Sequence, residues 1–235
     1  KKLFDSDVTG CATCHNGPLL TDQRSHEIAA DLPKVDTPSL IGLAAVTKSE
    51  ITIKNAGVEH LRSTLMNFER LGIRCQIKGD DLYIPADQEM KVQADFGGHI
   101  PTISDQPWPA FPADTMSIAI VTATQCEGVV MMFEKMFESR MFFVDKLIAM
   151  GARIVLCDPH RAIVAGPSQM RGSRLESPDI RAGMAMLIAA MCAEGTSVID
   201  NAQQQAFAAI GHEVNLGSPK QLQTVLFEEL GLPKT

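Results

Sequence analysis

The feature that most constrains the fold of this chain is an internal repeat in its middle. Each copy has the pattern of an alternating strand, a helix that ends at a glycine, and a hairpin with turn residues at its tip. The copies cover residues 51–86 and 129–166, and Gly72 of the first aligns with Gly151 of the second. A repeated strand, helix and hairpin predicts an α/β fold built from packed units.

Two further helices of similar sequence extend the repeating unit. They cover residues 114–128 and 179–195, and each begins with Asp and ends at Glu-Gly before a strand. The full unit is therefore a helix, Glu-Gly, a strand, a helix and a hairpin. A third copy starts with the strand 196–200, but residues 201–235 contain a helical pattern with no hairpin after it. We expect this interruption to leave an apolar face of the repeat uncovered.

Composition excludes several classes of protein. The chain has 235 residues, of which 45% are apolar, and a net charge of −7 without a basic stripe. A chain of this length and composition can bury a sizeable hydrophobic core. Neither nucleic acid nor an anionic membrane surface is an expected partner, because the net charge is negative. The longest apolar run, residues 184–192, is too short to span a bilayer, and no export signal follows Lys1. We expect a cytoplasmic protein. Four cysteines lie in apolar segments and are predicted to be buried core residues: Cys75, Cys126, Cys157 and Cys192.

Residues 48–201 resemble the second half of the UDP-N-acetylglucosamine 1-carboxyvinyltransferase family, the enolpyruvyl transferases that begin peptidoglycan synthesis. The resemblance is carried by "NAGVEHLRSTLMNFERLGIRCQIKGDDL", "PWPAFPADTMSIAIVTATQCEG", "FEKMFESRMFFVDKLIAMGA" and "SPDIRAGMAMLIAAMCAEGTSVID". It implies a partial inside-out α/β barrel of β-α-β-α-β-β units, in agreement with the repeat. It also implies enolpyruvyl transfer from phosphoenolpyruvate to UDP-N-acetylglucosamine.

The resemblance also implies roles for individual residues. Asp114, in "FPAD", matches the proton-handling carboxylate of the family, and Arg140 and Arg181 match arginines of the cleft. Phe137 matches a position that lines the nucleotide-sugar pocket. A carboxylate suits general acid–base work, and guanidinium groups suit phosphates and carboxylates.

The residues alone leave a structural alternative open at each position. Asp114 is equally suited to cap a helix, Arg181 to lie in an ordinary first helical turn, and Phe137 to fill the core. The catalytic cysteine loop of the family, its amino-terminal lysine and asparagine, and its Asp-Arg-Gly-Tyr arginine have no match in the sequence. We therefore expect an incomplete transferase domain without turnover, which binds UDP-N-acetylglucosamine and phosphoenolpyruvate weakly at most and needs no cofactor.

The first segment carries a different resemblance. Through "LFDSDVTGCATCHNGPLLTDQRSHEI" and "DTPSLIGLA", residues 1–47 resemble the C-terminal part of a di-haem cytochrome c peroxidase. The resemblance implies haem c attached to Cys11 and Cys14 and ligated by His15, so an electron-transfer or peroxidase protein is the alternative function. The haem run alone would indicate a periplasmic protein.

The segment is too short to bury a haem by itself, so an unoccupied run is the expectation. A zinc site that adds His26 is a weaker alternative, because His15 adjoins Cys14 too closely for a closed tetrahedral site. We expect residues 1–46 to be mostly irregular and peripheral to the 51–200 core.

The last segment carries a third resemblance. Residues 203–235 resemble the thumb-entry region of a family A DNA polymerase, through "GHEVNLGSPKQLQTVLFEELGLPKT". Phosphate contacts are implied for Asn215, Ser218 and Lys220, although so weakly basic a helix is expected to bind no nucleic acid. We interpret the chain as an artificial or recombined composite of three parts: 1–47, 48–201 and 202–235.

Overall fold

The computed structural model describes residues 37–138, 140–176 and 180–200. The helices and strands of these ranges are, in chain order, α1 (Thr37–Thr47), β1 (Ile51–Ile53), α2 (Arg62–Arg70), β2 (Gln76–Lys78), β3 (Asp81–Ile84), β4 (Thr102–Ser104), α3 (Met116–Ala123), β5 (Gly128–Phe133), α4 (Val144–Ala149), β6 (Arg153–Asp158), β7 (Arg161–Gly166), β8 (Arg174–Glu176), α5 (Ile180–Cys192) and β9 (Val198–Asp200). Short 3-10 turns lie at Val58–His60, Phe96–Gly98 and Ala113–Thr115.

The strands form three sheets that follow the repeat. The first is antiparallel with the order β1-β3-β2, the second has the order β4-β5-β7-β6, and the third pairs β8 with β9. In the second sheet β4 runs parallel to β5, whereas the pairs β5 with β7 and β6 with β7 are antiparallel. The chain from β4 to β7 is therefore one complete β-α-β-α-β-β unit, and the α/β prediction is confirmed.

We call α1 with β1, α2, β2 and β3 the first unit, and β4 to β7 with α3 and α4 the second unit. The strands β4 and β8 were not predicted from sequence. Each has three residues, which is too short for a recognisable alternation.

Three helices, α1, α3 and α5, pack against one another in the middle of the fold. All eight residues of α3 are buried, so this helix has no polar face toward solvent. The three helices meet at Gly42, where a Cβ atom would lie 2.8 Å from Ile118 Cγ2 and 3.8 Å from Ile188 Cδ1. The longest helix of the described ranges, α5, has 13 residues, and none there is long and apolar enough to cross a membrane.

The helix α1 corrects one expectation from sequence. Residues 37–46 are neither irregular nor peripheral, because they form most of α1 and place Ile41 and Ala45 in the core with no exposed surface. The reason is that α1 occupies in the first unit the place that α3 occupies in the second. A signal for this was present, since both segments carry Asp-Thr-x-Ser, at 36–39 and 114–117. Residues 1–36 lie outside the described part of the chain.

The cysteines follow the prediction with one exception. Cys126 is buried, and Cys75 and Cys192 are half-buried, as expected of core residues. Cys157 is exposed, so its predicted burial is wrong. It lies on β6, at the edge of the second sheet, where the pairing register with β7 shifts between Leu156 and Asp158 and leaves Cys157 without a partner residue on β7.

Candidate functional site

Two of the predicted site residues, Asp114 and Arg140, form an ion pair. Asp114 lies in the 3-10 turn that precedes α3, and Arg140 lies in the connection between β5 and α4. Arg140 Nη1 donates a hydrogen bond to Asp114 Oδ1 at 2.9 Å. The Asp114 side chain is 68% exposed, whereas that of Arg140 is 16% exposed. The pair therefore presents its carboxylate to solvent and covers most of its guanidinium group.

Phe137 joins this pair from the same connection. Its side chain is 42% exposed, which rules out the alternative that it fills the core. The guanidinium carbon of Arg140 lies 3.9 Å from the centre of the Phe137 ring, within the range of a cation–π contact. Three residues predicted from two separate stretches of sequence thus converge on one surface.

The chemistry available at this surface follows from its three groups. An exposed carboxylate is accessible to a ligand and has the chemistry of a general acid or base. A guanidinium has five N–H donors, and the contact with Asp114 uses one of them. An aromatic face beside that guanidinium favours a flat ring or the apolar face of a sugar. The surface therefore suits an anionic ligand with a ring, next to a group that can move a proton.

Sequence reasoning missed two buried acidic residues behind this surface, Asp105 and Glu134. Their exposed fractions are 0% and 1%. Asp105 follows β4 and accepts hydrogen bonds from the backbone amides of Lys135, through Oδ1, and Met136, through Oδ2 at 3.2 Å. The Glu134 amide donates to the carbonyl of His160 at 2.8 Å. A signal was present in principle, because an acidic residue follows each of two neighbouring parallel strands, but β4 itself was not predicted.

The surroundings of Glu134 shift its titration strongly. The pKa of Glu134 is raised to about 8, chiefly by burial and in addition by the hydrogen bond to Asp105 and the charge of Asp105. Arg140 and the backbone amide of Phe137 act in the opposite direction and lower the pKa. Glu134 therefore interacts with Asp105 behind the turn and with both Phe137 and Arg140 at the surface.

The described cysteines include three whose burial argues against a nucleophilic role. Burial raises the pKa of Cys126 to about 12 and is the main cause that raises those of Cys75 and Cys192 to about 11. A thiol with such a pKa holds almost no thiolate at neutral pH. These three thiols are therefore poor nucleophiles.

The remaining predicted site residues lie outside the described part of the chain, either entirely or in their side chains. Arg181 lies in the first turn of α5, and its side chain lies outside the described part. The haem and zinc candidates Cys11, Cys14, His15 and His26 lie outside it too, as do Asn215, Ser218 and Lys220. Between residues 37 and 200, where described, no group of three or more His, Cys, Asp or Glu side chains is placed to hold a metal ion.

Comparison with known proteins gives consistent results. Residues 13–208 match the family of EPSP synthase (3-phosphoshikimate 1-carboxyvinyltransferase). The chain is 69% identical over 189 residues to the UDP-N-acetylglucosamine 1-carboxyvinyltransferase of Bradyrhizobium diazoefficiens, with 80% of this chain and 43% of that protein covered. It is 59% identical over 177 residues to the enzyme of the same name from Borreliella burgdorferi, with 75% of this chain and 41% of that protein covered. The chain thus spans about two fifths of the length of these relatives.

Solved structures show the same fold. The enolpyruvyl transferase NikO from Streptomyces tendae superposes with a TM-score of 0.64 at 20% identity, over 77% of this chain and 41% of that one. An EPSP synthase from Acinetobacter baumannii superposes with a TM-score of 0.51 at 16% identity, over 72% of this chain and 41% of that one. The matched range begins inside the segment assigned to a peroxidase and ends inside the segment assigned to a polymerase. Because the match covers well over half of its residues, the chain belongs to the EPSP synthase (3-phosphoshikimate 1-carboxyvinyltransferase) family of enolpyruvyl transferases.

Proposed function

We propose that the described region forms one wall of a UDP-N-acetylglucosamine 1-carboxyvinyltransferase site. The observation that carries the proposal is the convergence of Asp114, Arg140 and Phe137, with Arg140 2.9 Å from Asp114 and 3.9 Å from the centre of the Phe137 ring. The 69% identity to an enzyme of that name supports this choice of substrates within the family.

Each residue of the site has a role that suits its surroundings. Phe137 and Arg140 bind the nucleotide sugar, the first through its exposed ring and the second through its charge on an anionic group. Asp114 moves the proton at the methylene carbon of the enolpyruvyl group, for which its exposed carboxylate is accessible. Arg181, in the first turn of α5, adds a second cation for phosphate or carboxylate. No cofactor takes part in this proposal.

Binding of UDP-N-acetylglucosamine to the 235-residue chain, measured by calorimetry, tests the proposal. We expect weak binding, because a single wall leaves much of the ligand in solvent. Arg140→Ala should abolish the heat of binding. The matched control is Arg74→Ala, which removes an arginine that pairs with Asp87 at an exposed position of the first unit. Equal loss in both variants, or binding unchanged by Arg140→Ala, would contradict the proposed site.

The finer part of the proposal concerns turnover. We propose that this chain alone releases no phosphate from phosphoenolpyruvate, because no cysteine in it matches the nucleophile loop of the family and one wall cannot enclose the reactants. A phosphate-release assay with both substrates checks this. Release above the background without enzyme, lost in Asp114→Asn, would show that the chain carries a working site.

The flanking segments enter as a separate proposal. We propose that residues 1–12 and 209–235, the parts of the two flanking segments outside the matched range 13–208, belong to other protein families, and that the c-type haem run at Cys11, Cys14 and His15 stays unoccupied. Expression with haem-attachment machinery and an absorption spectrum of the purified chain test this. A c-type haem spectrum that disappears in the Cys11→Ala, Cys14→Ala double variant would favour the electron-transfer alternative instead.

A further inference from the structure

The two buried acids behind the candidate site carry an inference beyond the proposed function. We propose that Asp105 and Glu134 form a carboxylate–carboxyl pair in which Asp105 holds the charge and Glu134 holds the proton, and that this pair positions the turn carrying Phe137 and Arg140. The link to ligand binding rests on the proposed function, whereas the location of the proton does not.

The contacts of Asp105 favour its charged form. Both of its oxygens accept backbone N–H groups, Oδ1 from Lys135 and Oδ2 from Met136. Protonation would make one of these oxygens a hydroxyl, which is a weaker acceptor for an amide than a carboxylate oxygen. Hydrogen bonds from two amides to a buried carboxylate stabilise the ionised state.

The contacts of Glu134 favour its neutral form. It is 1% exposed, and its Oε1 atom has no hydrogen-bond partner among the described residues. A charged oxygen without a partner is costly in the interior, whereas an unpaired carbonyl oxygen of a neutral acid costs far less. Two adjacent carboxyl groups also cannot both ionise in such surroundings, so one of them retains a proton.

Asp105 contacts both the turn and the segment that precedes Asp114. The amides that Asp105 binds belong to Lys135 and Met136, the two residues before Phe137. Asp105 also forms a parallel bridge with Phe111, three residues before Asp114. Asp105 therefore connects the segment that leads to Asp114, through its backbone, with the turn that carries Phe137 toward Arg140, through its carboxylate. Asp105 and Glu134 are positioning residues, since neither faces the ligand surface.

Other charged groups around Glu134 determine what its ionisation would do. Arg140 approaches it from the surface side, Lys135 follows it along the chain, and the His160 ring contacts its carbonyl oxygen at 2.8 Å. An ionised Glu134 would repel Asp105 and attract Arg140 away from Asp114. We therefore expect a turn that is ordered at neutral pH and loosens as the pH rises through about 8.

The first experiment locates the proton without any ligand. In the carbon-13-labelled 235-residue chain, the Glu134 carboxyl resonance is followed by NMR from pH 4 to pH 10 and assigned by its absence in Glu134→Gln. We expect a midpoint near 8, far above the ordinary value of 4.5. A midpoint near 4.5 would overturn the proposal.

The second experiment tests the positioning role by amide hydrogen exchange at pH 7. Asp105→Asn cannot accept from both amides, so the exchange of Lys135 and Met136 should accelerate about tenfold or more. Glu134→Gln still offers a donor to Asp105 and should keep both amides protected. Asp80→Asn is the matched control, because Asp80 accepts the amides of Gly57 and Val58 at an exposed turn. Unchanged exchange in Asp105→Asn would overturn the positioning role, and if that variant does not fold, loss of protection in Glu134→Gln would overturn it.

The third experiment connects the pair to the ligand. Binding of UDP-N-acetylglucosamine to the wild type should weaken about tenfold from pH 7 to pH 9, and Glu134→Gln should remove most of this dependence. The difference between the two proteins cancels any titration of the ligand itself. The same slope in both proteins would overturn the link to binding. If the wild type binds at no pH, the proposed function fails, and the pair is judged by the two ligand-free experiments.

Discussion

The two units of the repeat close the same connection in different ways. In the first unit the Ala56 amide donates to the carbonyl of Asp80 at 2.8 Å, and in the second the Glu134 amide donates to the carbonyl of His160 at the same distance. Both carbonyls belong to the tip of the hairpin that follows. The carboxylate that holds the next amides differs: in the first unit it is the exposed Asp80 of the hairpin itself. In the second unit it is the buried Asp105, which comes from the neighbouring strand.

This difference shows how two copies of the same backbone arrangement come to differ in function. The first unit keeps its carboxylates in water, where the hydrogen bond from Lys54 is the largest cause that lowers the pKa of Asp81. The second unit buries Asp105 and Glu134, and burial raises the pKa of Glu134. The exposed connection is held by charge, whereas the buried one depends on a retained proton and carries Phe137 and Arg140.

The two units should differ most in the stability lost when the carboxylate of Asp105 or of Asp80 is removed, each in its own variant. Asp105→Ala leaves two inward amides without an acceptor, so we expect the free energy of unfolding to fall by about 3 kcal/mol. Asp80→Ala should cost about 1 kcal/mol, because water can replace its oxygens. Urea unfolding of both variants measures the difference. Equal losses would show that burial does not distinguish the connections.

Substitution of the aligned glycines that end α2 and α4 should cost more stability in the first unit than in the second, the reverse of the carboxylate comparison. A Cβ at Gly72 (φ +80°) would lie 2.4 Å from the Lys91 backbone nitrogen, whereas a Cβ at Gly151 (φ +105°) would lie 2.9 Å from the Gln169 carbonyl oxygen. We expect Gly72→Ala to cost about 2–3 kcal/mol and Gly151→Ala about 1–2 kcal/mol. Urea unfolding checks the order, with Gly79→Ala as the control, since no atom lies within 4 Å of a Cβ there. The reverse order would mean that the first unit is the more tolerant at this position.

The stability of the two units should depend on pH with opposite signs. The folded-state pKa of Glu134, about 8, lies above its ordinary value of 4.5. Its contribution to stability is therefore complete below about 4.5 and is lost as the pH rises through 8. Between pH 6 and pH 8 we expect the free energy of unfolding to fall by about 2 kcal/mol, and Glu134→Gln to remove this slope. An unchanged slope in Glu134→Gln would assign it to another group.

The smallest effect on stability should come from the Lys54–Asp81 pair of the first unit, and its pH dependence should lie at acid pH. The lowered pKa of Asp81 contributes stability that is present above its ordinary value of 3.8 and is lost as the pH falls through the folded-state pKa. Because Lys54 is 71% exposed in this pair, Lys54→Met should shift the melting temperature no more than Arg74→Met does. A clearly larger shift would show that the exposed pair contributes more than solvent screening allows.

Sequence patterns predicted the parts of both units that repeat. Helical spacing and glycine stops located α2 and α4, and turn residues located both hairpins. The resemblance to the family also selected Asp114, Arg140 and Phe137, and the structure brings these three together. The interactions of Asp105 and Glu134 could not be predicted in this way, because they depend on parallel pairing between β4 and a strand more than twenty residues later. Local periodicity carries no information about such a pairing.

The meeting point of the central helices has a consequence for how the chain reaches its fold. Gly42, Ile118 and Ile188 come from three successive copies of the repeat, so most of the chain must be present before this contact can form. Contacts between residues so distant in sequence carry a high loop-closure entropy and slow the folding reaction. During synthesis α1 and α3 leave the ribosome well before α5, and their apolar surfaces stay open to other nascent chains in that interval. Slow translation near residue 190 would prolong that exposure. Chaperones that bind apolar helices would protect these surfaces from aggregation in the meantime.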